Sequence, residues 1–380
     1  MGKLLIVSWC VHPWPTGSSV IVNNIASQFT KEELVLYGEK YPNEDDRPWD
    51  SNYPRIIYGE PRLTVNDTGY RYLKWLSVGK LVKQLEQIVE EEGVSKLLCI
   101  YPSDFYMYIA YRVSRTKSIP MYSWFHNTYL DNVQGAFKLL AKLLQPVFFR
   151  HSKINFVMSD GMRDYYQKVY PGVEFKTLVH GFKLPNNTGV SRISHADKKR
   201  KFLFAGNLNE SCRDATIRLI KTIIANPDYV VHAFTSSSVA YFSSFGIEGD
   251  NFVVRGFVPL EHLYDLQREY DVMLLPHGFD GGRTQVEYDT IFPTRTIPML
   301  VSGRPILAHS PKGTFLTKFL EAHECAVIVT EKSAEKILEA VKQLLTEGKY
   351  IKRLVEKAWK AADGFRIENT VQELKELTAK

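Results

Sequence analysis

Short apolar runs alternate with segments of helical period along the whole chain, the pattern of βα units built around parallel sheets. In the first half the runs "KLLIVSW" (3–9), "LVLY" (34–37), "KLLCIY" (96–101), "IPMYSWF" (119–125), "INFVMS" (154–159) and "FKTLVH" (175–180) read as buried strands. Between them, residues 71–92 form the clearest helix, with Leu73, Leu76, Leu81, Leu85, Ile88 and Val89 on one apolar face and "EEEG" closing it at a glycine. Residues 184–200, "LPNNTGVSRISHADKKR", lose apolar periodicity and gather Pro, Asn, Gly and Ser. The alternation then restarts: "KFLFAG" (201–206), "YVVHAF" (229–234), "FVVRGFV" (252–258), "YDVMLLP" (270–276), "RPILAH" (304–309) and "CAVIVT" (325–330) read as strands, with helices near 212–225, 260–268, 296–302, 314–322, 333–346 and 350–362.

The expectation is an α/β protein of two doubly wound, Rossmann-like domains facing across a cleft, where sheets of this kind bind ligands beyond the carboxyl ends of their strands. The boundaries read as 1–185 for the first domain, 186–200 for a linker, 201–362 for the second, and 363–380 for a terminal helix free to pack back on the first. A length of 380 residues suits two cores rather than one.

Composition narrows the chemistry. Apolar residues make up 44% and charged residues 24%, ordinary for a globular protein. The net charge of +6 is spread over both halves and suits an anionic ligand or an acidic membrane surface. "KKRK" at 198–201 is too sparse for a nucleic-acid face and reads as solvated linker. Cys10, Cys99, Cys212 and Cys325 show no CxxC or CxxH spacing, so neither a zinc site nor a disulfide framework is expected. The N-terminus reads as a first strand, no run approaches a transmembrane span, and the chain reads as cytoplasmic with reduced thiols.

The stretch "FPTRTIPMLVSGRPILAHSP" (292–311) crowds helix-breakers and hydroxyls around one arginine. Pro298 is tolerable only in a first helical turn, which places a helix start near Thr294–Thr296 with a threonine as cap. That start reads as an anion site of free amides, two hydroxyls and the fork of Arg295, or as an ordinary capped helix. In "KFLFAGNLNESCRDATIRLI" a strand ends before Gly206 and a helix carrying Arg213 follows. "SWCVHPWPTGSSVIVNNIASQF" ends the first strand in a loop where Gly17 admits close approach, although it is neither GxGxxG nor a P-loop. His126 closes the strand 119–125, where it either donates to a sugar hydroxyl or phosphate or serves the core; His180-Gly181 and His277-Gly278 are further strand-end histidines. "NEDDRP" (43–48) reads as solvated loop, and "AFKLLAKLLQPVFFR" (136–150) as a core helix beneath the sheet or a helix resting on an anionic bilayer.

In this order, "FLFAGNLN", "VVRGFVPLEHLYDLQREYDVMLLPHGFD" and "FPTRTIPMLVSGRPILAHSP", with "PTGSSVIVNNIASQF", "FHN" (125–127) and "VMSDGMRDYY" (157–166) before them, resemble glycosyltransferases of the GT-B fold, most closely the retaining family 4 group. The resemblance covers nearly the whole chain. It implies a metal-independent transferase with no resident cofactor, taking sugar from a nucleoside diphosphate sugar of UDP, GDP or dTDP type. The acceptor would be a hydroxyl on a glycan or a lipid-linked saccharide, in cell-surface glycan synthesis. Residue by residue, it implies that Gly17 and Ser18 border acceptor and diphosphate, that His126 touches the transferred sugar or acceptor, and that Gly206 and Arg213 hold the diphosphate. Phe257 and Val258 would meet the nucleobase, and Thr294, Arg295 and Thr296 would cradle phosphate oxygens. The chain departs from the pattern in two respects. Thr290 and Pro298 stand where many members carry Glu-x7-Glu, leaving Glu287 or Asp289, in the preceding loop, as substitutes; and Asn207 replaces an arginine. Two other readings are a transferase acting on DNA bases, which wants a basic duplex-binding face, and a GT-B-shaped binding protein without catalysis.

Overall fold

The computed structural model describes residues 2–14, 16–41, 52–59, 73–185 and 199–379. "NEDDRP" and most of the linker lie outside these residues. The chain divides into two compact units, one of residues 1–183 with 367–380, the other of residues 184–366.

In the first unit β1 (Lys3–Cys10), β2 (Leu34–Glu39), β3 (Arg55–Tyr58), β4 (Val94–Tyr101), β5 (Met121–Phe125), β6 (Asn155–Val157) and β7 (Phe175–Thr177) form one parallel sheet in the order β3-β2-β1-β4-β5-β6-β7. The order reverses direction beside β1, the topological switch point of a doubly wound sheet. The helices are α1 (Gly17–Ala26), α2 (Val78–Glu91), α3 (Asp104–Lys117), α4 (Ala136–His151) and α5 (Asp160–Val169), with α14 (Ile367–Ala379) joining them from the chain's end. Ile367, Val371 and Leu374 of α14 share a core with Leu4 and Ile6 of β1 and Ile21 and Ile25 of α1. Gly181 makes the seat for α14: a Cβ there would stand 2.6 Å from Ile367 Cδ1 and 2.9 Å from its Cα, so any side chain would push the helix off.

The second unit repeats the plan. Strands β8 (Arg200–Ala205), β9 (Tyr229–Phe234), β10 (Phe252–Val254), β11 (Val272–Pro276), β12 (Ile306–His309) and β13 (Val327–Val329) are parallel in the order β10-β9-β8-β11-β12-β13. Around them lie α6 (Arg213–Ile224), α7 (Val239–Ser243), α8 (Leu260–Gln267), α9 (Gln285–Thr290), α10 (Thr296–Leu300), α11 (Phe315–His323), α12 (Ala334–Thr346) and α13 (Gly348–Ala362). Every strand read from the sequence is present within a few residues at its ends, and the two doubly wound units match the expected fold class.

Three readings are corrected. The α2 helix begins only at Val78: Lys74–Ser77 is a 3-10 turn, and Leu73 and Leu76 point into solvent instead of continuing the face of Leu81, Leu85, Ile88 and Val89. Arg200 and Lys201 of "KKRK" are strand residues, the Lys201 amide donating to Asp271 at 2.7 Å and Arg200 lying 3.4 Å from the same carboxylate. Glu287 and Asp289 sit on helix α9, capped by Thr284, and not in a loop. Residues 136–150 form a core helix on one side: α4 buries Phe137, Ala141, Gln145, Phe148 and Phe149 and presents its other face to solvent. Among the described residues no helix is long and apolar enough to cross a membrane.

Candidate functional site

In the second unit the chain order reverses between β8 and β11, so the loops leaving their carboxyl ends diverge and open a crevice. The loop after β8 begins with Gly206 at φ +113°, a conformation closed to ordinary side chains. A Cβ at Gly206 would stand 3.0 Å from Arg295 Cζ, so glycine also makes the room the guanidinium occupies. Arg295 Nη2 donates to the Asn207 carbonyl at 3.2 Å and approaches Cys212 Sγ at 3.7 Å, while the guanidinium lies 5.2 Å over the Phe204 ring. Its Nη1 is buried without a hydrogen-bond partner among the described residues. A buried unpaired guanidinium nitrogen is expensive, and an anionic oxygen is the group that would satisfy it.

Asn207 holds this loop to the next one: its Oδ1 accepts from the Ser236 hydroxyl at 2.6 Å, the Ser236 amide at 3.0 Å and the Thr235 hydroxyl at 3.2 Å. Arg213, the first residue of α6, donates to the Tyr241 hydroxyl at 3.4 Å and lies 5.8 Å over Phe245. The loop after β11 is pinned from α6. The Asp214 carboxylate accepts from the Phe279 amide at 3.1 Å and from Asp280 at 3.4 Å, the Gly278 amide donates to the Ser211 carbonyl at 2.8 Å, and Gly278 has no room for a Cβ beside Tyr288. His277 donates from Nε2 to the Tyr288 carbonyl at 2.8 Å, and burial pushes it down to about 4.

One turn further along α6, Arg218 donates to His309 Nε2 at 2.8 Å. That nitrogen must therefore accept, which puts the ring proton on Nδ1, where it donates to the Val329 carbonyl at 2.9 Å. Burial, the larger cause, holds His309 near 4, and the Arg218 charge acts in the same direction. Asp214, Arg218 and His309 went unremarked in the sequence. The i, i+4 spacing of an acid and a base on one helix was a legible signal for the first two, and the strand-end position of His309 for the third.

The start of α10 differs from expectation. Its cap position is Arg295, and no side chain caps it. The Thr296 amide is taken by the Pro293 carbonyl at 2.9 Å and the Ile297 amide by Thr294 at 3.3 Å, so these amides close a turn locally instead of pointing free. Thr296 Oγ1 is buried without a partner among the described residues, and Thr294 is half-buried. Pro298 stands third in the helix, inside the first turn as its ring requires. Of the groups expected to face an anion here, the Arg295 guanidinium keeps an unpaired nitrogen, while the Thr296 and Ile297 amides are already used.

The structure does not draw every singled-out residue to this crevice. Asp289 is exposed on α9 and accepts from Gln285 at 2.8 Å, Glu287 is buried, and Thr290 bonds to the Val286 carbonyl at 2.7 Å. Phe257 is 58% exposed beyond the end of β10, and Val258 follows it in the same segment.

In the first unit the singled-out residues leave β1 and β5, the two strands that flank β4 at the switch point. Thr16 caps α1, its hydroxyl accepting from the Ser19 amide at 3.2 Å, so Gly17 and Ser18 form the helix's opening residues. The Ser18 hydroxyl lies 3.1 Å from Nδ1 of His126, which leaves β5 at its carboxyl end. Beneath it, the ring of His180 sits 5.1 Å away. His126 Nε2 and both nitrogens of His180 are buried without hydrogen-bond partners among the described residues. Burial drives both imidazoles neutral: His126 falls well below its ordinary value, with the repulsion a protonated His180 would exert as a second cause, and His180 falls to about 3. Three unfilled ring nitrogens can serve hydroxyl groups as donors and acceptors.

Among the described residues no group of three or more His, Cys, Asp or Glu is gathered as a metal site. Cys10, Cys99, Cys212 and Cys325 are buried free thiols. Neither a protein-family model nor a curated protein matches the sequence. Solved structures do match in fold. Sucrose-phosphate synthase from Thermosynechococcus elongatus is similar with a TM-score of 0.76 at 12% identity, over 100% of this chain and 98% of its own. HepE of Anabaena, in complex with UDP and glucose, is similar with a TM-score of 0.69 at 12% identity over the whole of both chains. A glycosyltransferase from Rickettsia africae gives 0.68 at 10% identity, over 99% of this chain and 97% of its own. The chain therefore has the two-unit Rossmann-like fold of GT-B glycosyltransferases.

Proposed function

We propose that this protein is a glycosyltransferase that moves a sugar from a nucleoside diphosphate sugar to a hydroxyl of a glycan or lipid-linked acceptor, with retention of configuration as in the family 4 group. One observation carries the reading: a guanidinium, that of Arg295, seated against a glycine at the switch point of the second unit, with a buried nitrogen still to be paired. In this reading Arg295 and Arg213 take up charge on the departing diphosphate, which lowers the barrier to breaking the sugar–oxygen bond without requiring a metal ion. Gly206 and Asn207 shape the loop beside the diphosphate, Thr294 and Thr296 flank the arginine, and Phe257 and Val258 offer a surface to the base. His126, kept neutral and tied to Ser18, is suited to hydrogen-bond a sugar or acceptor hydroxyl, with Gly17 opening the same helix as Ser18. The fold likeness to a protein solved with UDP and glucose supports a nucleotide sugar donor.

Incubation of the pure protein with UDP-, GDP- and dTDP-linked sugars should release nucleoside diphosphate from one of them, slowly into water and faster with an acceptor saccharide. A second reading, a GT-B-shaped binding protein without catalysis, is motivated by Thr290 and Pro298 standing where a glutamate pair is usual. It predicts nucleotide binding with no release from any donor.

A further inference from the structure

The solvent face of α4 carries Leu139 at 68% exposed, Leu143 at 62% and Val147 at 36%, one line of aliphatic side chains at i, i+4 and i+8. Three neighbouring apolar side chains turned to water along one helix form a stripe instead of the scattered single exposures ordinary on a surface. The helix needs none of them for its own seat, since Phe137, Ala141, Phe148 and Phe149 already fill the face toward the sheet. Cations flank the stripe. Lys138, Lys142 and Arg150 are exposed on α4 itself, and residues 133–151 contain no Asp or Glu.

Helix α3, packed alongside, extends the same character. Arg112 and Arg115 are exposed there, each bonded to the tyrosine one turn earlier: Arg112 to Tyr108 at 3.4 Å and Arg115 to Tyr111 at 3.1 Å. The Tyr111 ring in turn meets His151 at the end of α4, 4.8 Å between centroids. Aliphatic side chains at the centre, tyrosines and long cationic side chains at the margin, and an absence of acids on the helix are the composition of a surface that lies in the headgroup region of an anionic bilayer.

We propose that the outer face of α4, with the adjoining edge of α3, docks on an anionic membrane: Leu139, Leu143 and Val147 enter the acyl boundary while Lys138, Lys142, Arg150, Arg112 and Arg115 meet lipid phosphates. The proposal rests on this surface alone and stands or falls separately from the transferase reading.

The test is sedimentation of the whole protein with vesicles of phosphatidylcholine alone and of phosphatidylcholine mixed with phosphatidylglycerol. Binding is expected to the mixed vesicles at least tenfold above the neutral ones, and to weaken severalfold between 0.05 and 0.5 M salt, about what screening of several surface cations gives. L139E/L143E should lower it at least tenfold with melting temperature and secondary structure unchanged, and K138A/K142A should lower it severalfold; L338E, an exposed apolar position on α12, should leave it as in the wild type. Equal binding to both vesicles, or binding indifferent to L139E/L143E, overturns the proposal. So does a wild-type dimer that L139E/L143E dissociates in the absence of lipid binding, which would make the stripe a contact between copies of the chain.

Discussion

Arg295→Ala is expected to lower turnover of the donor by about 10²–10³-fold, the usual cost of removing one preorganised group that stabilises developing negative charge, or about 2.7–4 kcal/mol. The structure gives the reason in three contacts. The guanidinium is fixed by the Asn207 carbonyl at 3.2 Å, packed over Phe204 at 5.2 Å and given room by Gly206, so its free nitrogen is placed before substrate arrives. Arg295→Lys should recover little of the loss, because a point charge on a flexible stem cannot reproduce a fork held at two points. Steady-state rates with the donor identified by the nucleotide-sugar screen, beside melting temperatures of both variants, check this; rates within threefold of wild type would remove Arg295 from the site.

Acid is expected to destabilise the second unit steeply. His277 and His309 are neutral in the folded chain, each pushed down to about 4 by burial. The unfolded chain protonates near 6.5, so their contribution is complete above that value and drains as the pH falls from about 6.5 through about 4. By pH 5 each has lost about 2 kcal/mol, at 1.36 kcal/mol per pH unit. Two such losses should lower the melting temperature of the second unit by roughly 10 °C between pH 7.5 and 5, at about 2–4 °C per kcal/mol for a unit of this size. The first unit has the same liability in His126 and His180, with His12 and His151 lowered by burial as well, but also an opposing group. Glu39 is buried at the carboxyl end of β2 and raised to about 7 by burial, against the pull of Lys74. Its folded form keeps a proton the unfolded chain gives up, so it stabilises below about 4.5 and that gain is lost as the pH rises toward 7. A calorimetric scan should therefore show the second unit's transition moving down; transitions that do not move between pH 7.5 and 5 would contradict these environments.

Strands such as "KLLIVSW" and "YDVMLLP" were legible because parallel strands buried on both faces are written as continuous apolar runs. The strand "RIIY" was not, being four residues in a turn-rich stretch. Helices α7 and α9, of five and six residues, are too short to display a period. Leu73 and Leu76 misled for the opposite reason, since they continue a heptad-like spacing that the backbone abandons in a 3-10 turn. The stretch around Pro298 fixed where its helix begins, because proline's missing amide allows few positions. It could not disclose that Arg295 would reach Asn207, 88 residues earlier, or that the nearby amides would be spent on a tight turn. Pairings of that kind belong to the sheet order, where β8 and β11 become neighbours although some 66 residues separate them.

The central claim, that the switch point of the second unit holds the diphosphate of a nucleotide sugar, is tested most directly by calorimetric titration of the wild type and of R213A/R295A with UDP, GDP and dTDP. One of the three should bind the wild type in the micromolar range and bind the double variant at least a hundredfold more weakly, the fold remaining intact. No binding of any of them to the wild type, or equal binding to the double variant, would contradict it.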